Sequence, residues 1–189
     1  SEPIDIEDEL NNEDEENENE ENSPPNLALR LVAILSAELP PSQTITPFFE
    51  NLSSMLSSSN QFERRAALLI IGVASSGAPD YFSTQIGKII PVLSEGLKDS
   101  ETIVRVAALK SLSQLTSELQ DIVAEHHEVL LPLIINIIDN ATSVMTYKNA
   151  CYALDGLIEF MSFESISKYV EPLMNKLFGM LQQANSSSL

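Results

Sequence analysis

Tryptophan is absent from this chain, cysteine occurs once and glycine six times in 189 residues. Each scarcity closes off a class of structure. A lone Cys151 permits no internal disulfide, which fits a reducing compartment. No two alternating runs are joined by an Asn-Gly or Asp-Gly turn, so hairpin-built sheets have no support. The longest apolar runs, such as Val129–Ile138, are too short to cross a bilayer. The acidic N-terminus has no apolar leader segment. His-x-x-x-His, Cys-x-x-Cys, Walker and Gly-x-Ser-x-Gly patterns are all missing, so no catalytic or metal constellation is written in the sequence. Lys and Arg are few, 10 against 28 Asp and Glu, for a net charge of −18. Residues 1–25 hold 12 of those acids and no base. Phosphate would be repelled, so direct nucleic-acid binding is excluded.

What is present is a self-repeat. Arg30, Arg64, Arg105 and Lys148 each precede a small residue by three positions: Ala33, Ala67, Ala108 and Cys151. Pro47, Pro91, Pro132 and Pro172 recur in step with them. A fixed period of roughly 40 residues means stacked helical units. The fold class is all-α: an α-solenoid of about three and a half antiparallel helix pairs. The small residue lets the second helix of each pair approach its neighbour closely. The proline bends the first.

Residues 1–25 read as a disordered acidic segment, because they cannot bury enough apolar surface to offset ordering. Helix periodicity then runs through 26–189. A second helix at 26–39 is followed by pairs at 42–75, 80–117 and 121–161, and by a final first helix at 164–184. Asn60 and Glu63 form a capping box, and Asp80 can cap the next helix. The absence of an initiator Met and a start in mid-unit suggest a piece of a longer protein. The Asn-x-Ser/Thr sequons at Asn51, Asn140 and Asn185 read as chance.

Asp99 ends one helix and Arg105 opens the next, so the carboxylate can accept a bidentate bond from the guanidinium. Repeated along the stack, this predicts an internal ladder of Arg30, Arg64, Asp99, Arg105 and Lys148. Asn140 and Ser58 occupy the Asp99 position in the other units, so the ladder is incomplete. Structural pairing outweighs the reading of these cations as ligands for an anionic partner. Cys151 reads as core, not nucleophile. His126 and His127 point about 100° apart on a helix and make a poor chelate pair, so they read as solvated. Phe62, Phe160, Phe163 and Tyr169 read as packing between repeats.

A two-helix unit of this length with Pro91, Asp99 and Arg105 at these spacings resembles the HEAT repeat in its importin-beta (karyopherin-beta) form. Leu39-Pro40-Pro41-Ser42 and Gln61-Phe62-Glu63-Arg64-Arg65-Ala66-Ala67 resemble the fungal importin-four subclass, which carries histones and ribosomal proteins. The resemblance implies a superhelix whose second helices line a concave cargo face. It also implies Ran-GTP release and nucleoporin contacts in the full-length protein, and shuttling between cytoplasm and nucleus. It makes residues 1–25 an acidic loop within a repeat. On that basis the acidic residues Asp5, Glu7, Asp8, Glu9, Glu13, Asp14, Glu15 and Glu16 are candidate cargo contacts. Glu118, Asp155 and Glu159 on the second helices join them. No cofactor or metal is expected. A structural scaffold, with the acidic segment as a spacer, is the rival reading. An enzyme built on the Asp155–Glu159 pair is disfavoured, since nothing would exclude water.

Overall fold

A computed structural model describes residues 23–175 together with Phe178. The acidic residues Asp5 to Glu16, and the end of the expected last helix, lie outside the described residues. Within them, all regular structure is helical. The helices are α1 (Pro24–Glu38), α2 (Ile45–Leu56), α3 (Gln61–Gly77), α4 (Pro79–Leu97), α5 (Thr102–Leu119), α6 (Asp121–Ala124), α7 (His127–Asp139), α8 (Val144–Glu159) and α9 (Phe163–Ser167). Residues 170–175 are again helical.

They form two layers. The inner row is α1, α3, α5 and α8, each packed on the next. The outer row is α2, α4, α6 with α7, and the segment from α9 onward. The helices α3, α5 and α8 begin at Gln61, Thr102 and Val144, which keeps the period read from the sequence. The most enclosed helix is α5, which contacts both inner neighbours and α4. Its residues Val104, Ala108, Leu109, Leu112 and Leu115 are buried, so apolar side chains cover much of its girth. The outer helices meet through rings: Phe49 of α2 sits 5.9 Å from Phe82 and 6.3 Å from Tyr81 of α4.

Helix boundaries follow local chemistry. Pro24 and Pro25 occupy the first turn of α1, where a missing N–H costs nothing. The helix therefore starts upstream of Leu27. It ends at Glu38, with Leu39 extended before Pro40. The expected capping box is half made. Asn60 Oδ1 accepts from Phe62 N at 3.0 Å, but the Asn60 N–H goes to Ser58 Oγ at 3.1 Å, not to Glu63. Asp80 does not cap α4. Pro79 begins that helix, Ala78 is its cap residue, and Asp80 lies inside the first turn.

Two expected continuous first helices are interrupted. One breaks at Glu125–His126, between α6 and α7, and the other at Lys168–Tyr169. The breaks meet in space: the His127 and Tyr169 rings are 5.7 Å apart, edge to face. His127 is thus buried, not solvated as its sequence context suggested. Phe62 and Phe163 differ in the opposite sense. Both are exposed in the first turns of α3 and α9, while Phe160 and Tyr169 do pack on the core.

The prolines sit where they cost least. Pro47 is the third residue of α2, inside the first turn, so it removes no intrahelical bond. Pro91 and Pro132 are interior to α4 and α7. Each is exposed, as are Gly87 and Glu128 four residues upstream, so water can solvate the carbonyl that proline leaves unbonded.

The inner row is held by close approach. A Cβ on Gly72 of α3 would lie 2.9 Å from the Ser111 Cα of α5, and one on Gly156 of α8 would lie 2.6 Å from Thr116 Oγ1. At the first contact Ser111 Oγ donates to the Leu68 carbonyl, tying α5 to α3. Replacing Gly72 by valine should force the two helices apart and cost about 1–3 kcal/mol in urea unfolding. Gln120 joins α5 to α6 at φ 45°, a conformation glycine adopts without strain. Gln120→Gly should stabilise the chain by about 1 kcal/mol in the same assay, and a loss of stability would contradict the strain argument.

Candidate functional site

Two surfaces of the stack carry chemistry. The first is the seam where successive repeats join. Arg64, near the start of α3, reaches across to Asp99 at the end of α4. Its Nε lies 2.7 Å from Oδ2 and its Nη2 lies 3.0 Å from Oδ1. Its Nη1 donates to the Ser58 carbonyl at 2.9 Å. Both side chains are mostly covered, at 16% and 14% exposure. The Asp99 carboxylate also caps its own turn, accepting from Glu101 N at 2.9 Å. The hydrogen bond from Arg64 holds the Asp99 carboxyl below the ordinary carboxylate range, against the opposing effect of burial. The same bond pushes the Arg64 guanidinium further up.

This corrects the expected pairing. Asp99 bonds the guanidinium of the preceding repeat, 35 residues back, and not Arg105. Arg105 instead gives Nη1 to the carbonyls of Asp99 and Ser100 at 2.7 and 2.8 Å, and Nη2 to Thr102 Oγ1 at 2.9 Å. The spacing of six residues delivers the cation to a backbone carbonyl, as in Arg64 with Ser58, and leaves the carboxylate for the other repeat.

Lys148 and Cys151 are one residue out of register. Thr146 and Ala150 are the first two buried positions of α8, matching Val104 and Ala108 of α5. This places Tyr147 where α5 has Arg105, and Ala150, not Cys151, in the small-residue slot. Cys151 is half-buried, and burial pushes its thiol above the ordinary range, partly offset by a hydrogen bond with Tyr147. Burial likewise pushes the Tyr147 phenol up. Arg30 is exposed and forms no ion pair among the described residues.

The second surface is a groove of about 470 Å³ across the inner row. Leu29 of α1, Arg65 and Leu69 of α3, Lys110 and Gln114 of α5, and Tyr152 of α8 line it. Arg30 lines its continuation between α1 and α3. Sequence reasoning named none of the lining residues on α3, α5 and α8. The signal was present: 65, 69 and 73 recur at helical spacing on the face opposite Ala67, Leu68 and Ile71. Arg64 and Arg65, adjacent in sequence, therefore serve different surfaces.

The expected acidic contacts fall beside this groove. Asp155 and Glu159 are exposed on α8, one turn apart, in register with Ser113 and Ser117 of the lining. Glu118 is half-buried and accepts from Gln114 at 3.4 Å. The groove lining itself thus carries the cations Arg65 and Lys110, and the carboxylates border it towards the C-terminal ends of α5 and α8. Among the described residues, no three His, Cys, Asp or Glu side chains gather to hold a metal. No helix there is long and apolar enough to cross a membrane.

This two-layer architecture matches known proteins. The family described as "IPO5-like, TPR repeats" matches residues 31–180. The spacing of the inner-helix starts, Gln61, Thr102 and Val144, fits HEAT units better than the shorter tetratricopeptide unit. "Probable importin subunit beta-4" of Schizosaccharomyces pombe is 36% identical over 170 residues, covering 90% of this chain and 16% of that protein. "Importin-4" of Homo sapiens is 29% identical over 134 residues, covering 67% of this chain and 12% of that protein. Kap121p, solved in complexes with Pho4p and with Nup53p, superimposes with a TM-score of 0.75 at 23% identity, over 82% of this chain and 15% of Kap121p. The chain belongs to the importin-beta family and is a HEAT-repeat segment of it. It spans less than a fifth of the length of these relatives.

The Arg64–Asp99 seam gives a pH-dependent prediction. The folded Asp99 value is depressed, so its contribution is complete at neutral pH and is lost as pH falls through that value. Asp99→Asn should lower stability by about 2 kcal/mol at pH 7. The gap from the parent chain should close on acidification, as followed by urea unfolding across a pH series.

Proposed function

We propose that this chain is a cargo-binding segment of a nuclear import receptor, and that its inner groove holds basic cargo such as histone or ribosomal-protein segments. Family membership supports the transport role, since the relatives are importins. The observation that carries the groove reading is the placement of Glu118, Asp155 and Glu159. Glu118 and Glu159 lie in the last turns of α5 and α8, where the helix dipole favours cations and disfavours carboxylates. Carboxylates on the groove side at that end cost stability, which a cationic ligand would repay. The acidic residues Asp5 to Glu16 would speed encounter over longer range. In the full-length protein Ran-GTP would release the cargo, and nucleoporin contacts would carry the complex between cytoplasm and nucleus. No catalytic step is part of this reading.

Fluorescence anisotropy of a labelled Lys/Arg-rich peptide tests it. Glu118→Gln, Asp155→Asn and Glu159→Gln together should weaken binding about tenfold, at roughly 0.5 kcal/mol per exposed pair. Neutralising Asp5 to Glu16 should mainly slow association and flatten its salt dependence. Unchanged affinity in the triple variant would remove the groove from cargo recognition.

A further inference from the structure

The seam between repeats is filled at one step and open at the next. Arg64 and Arg105 are structural twins. Each donates Nη1 to the carbonyl six residues upstream, at 2.9 and 2.7 Å. In Arg64 the remaining edge, Nε with Nη2, clasps the Asp99 carboxylate. In Arg105 the same edge has no carboxylate. Nη2 reaches only Thr102 Oγ1, and Nε donates no hydrogen bond among the described residues.

The reason is one substitution in the repeat. Asp99 follows Arg64 by 35 residues, and the residue at the same distance after Arg105 is Asn140. An amide cannot neutralise a guanidinium, and this one has turned away. Its Nδ2 lies 2.8 Å from the Asn136 carbonyl and 3.2 Å from Asn136 Oδ1. A cavity of about 210 Å³ remains, lined by Lys98, Asp99, Thr102, Arg105, Asn140 and Thr142 among others. Asp99 brings no free charge, because its carboxylate is held by Arg64. Lys98 adds a second cation, shared with Glu95 at 2.9 Å. The rest of the lining combines hydroxyls and amides, which suit a small oxyanion, with the apolar Leu97, Ile137 and Ala141.

The geometry points to a carboxylate-binding site at this seam, in which the Nε/Nη2 edge of Arg105 takes the aspartate or glutamate side chain of a protein partner. The ligand class follows from the twin: the edge that Asp99 fills inside the chain is offered here to a carboxylate from outside. The site lies between α4, α5, α7 and α8, apart from the groove proposed for basic cargo. It therefore stands or falls independently of that reading.

Arginine Nε–H resonances of the 189-residue chain test it, with sodium acetate added at constant ionic strength. The Arg105 signal should move downfield and saturate, while the Arg64 signal, already bonded to Asp99, stays fixed and reports an intact fold. In Asn140→Asp the Arg105 signal should start at the downfield position and no longer respond. Absence of saturable movement in the parent chain, or an unaltered acetate response in N140D, would overturn the site. Movement with inorganic phosphate but not acetate would overturn the carboxylate assignment.

Discussion

A pair of helices cannot bury both of its apolar faces by itself, and everything in this chain depends on the contact that solves the problem. Inner helix lies on inner helix at points where side chains all but vanish. Gly72 receives Ser111, and Gly156 receives Thr116. These approaches bring the rows near enough for Ser111 to bond the Leu68 carbonyl and for Arg64 to span the seam to Asp99. Bulkier residues at the glycines would separate the rows, open the seam and widen the groove together. Stability, groove width and spacing are thus set by the same few positions.

The repeat itself was legible in sequence because two independent markers recur in step, a basic residue and a proline. Periodicity then placed the helices to within a few residues. What escaped was whatever depends on the next unit in the stack. Spacing along the chain suggested Asp99 for Arg105, but proximity in sequence put a backbone carbonyl within Arg105's reach first. The carboxylate was left for Arg64. The breaks at Glu125–His126 and Lys168–Tyr169 were invisible because they answer to each other, ring on ring, across two repeats. The one-residue slip at Tyr147 arose because Lys148 and Cys151 imitate the pattern that burial assigns to Tyr147 and Ala150.

Residues bordering the groove were legible, and its lining was not. Glu118, Asp155 and Glu159 could be named because charged residues on a second helix stand out. Arg65, Lys110 and Tyr152 could not, because their significance lies in a face shared among the inner helices of successive repeats. The result is a surface more mixed in sign than overall composition implies. A net charge of −18 describes the chain. It does not describe the groove, whose lining carries Arg65 and Lys110 while the carboxylates only border it. An extended ligand lying there would meet a change of sign across its width, which selects orientation as well as charge.

The exposed prolines have a mechanical corollary. Pro91 and Pro132 each remove a rung from an outer helix, and α6 and α7 are separated by a turn, whereas the inner helices run unbroken at the contacts that knit them together. The two layers are therefore unequal in stiffness. A stack built this way would flex like a bound book, the spine of inner helices keeping its spacing while the outer layer takes up the bend. Small adjustments in each outer helix would add from repeat to repeat into a change of pitch, with the Arg64–Asp99 bond as the tie that limits it.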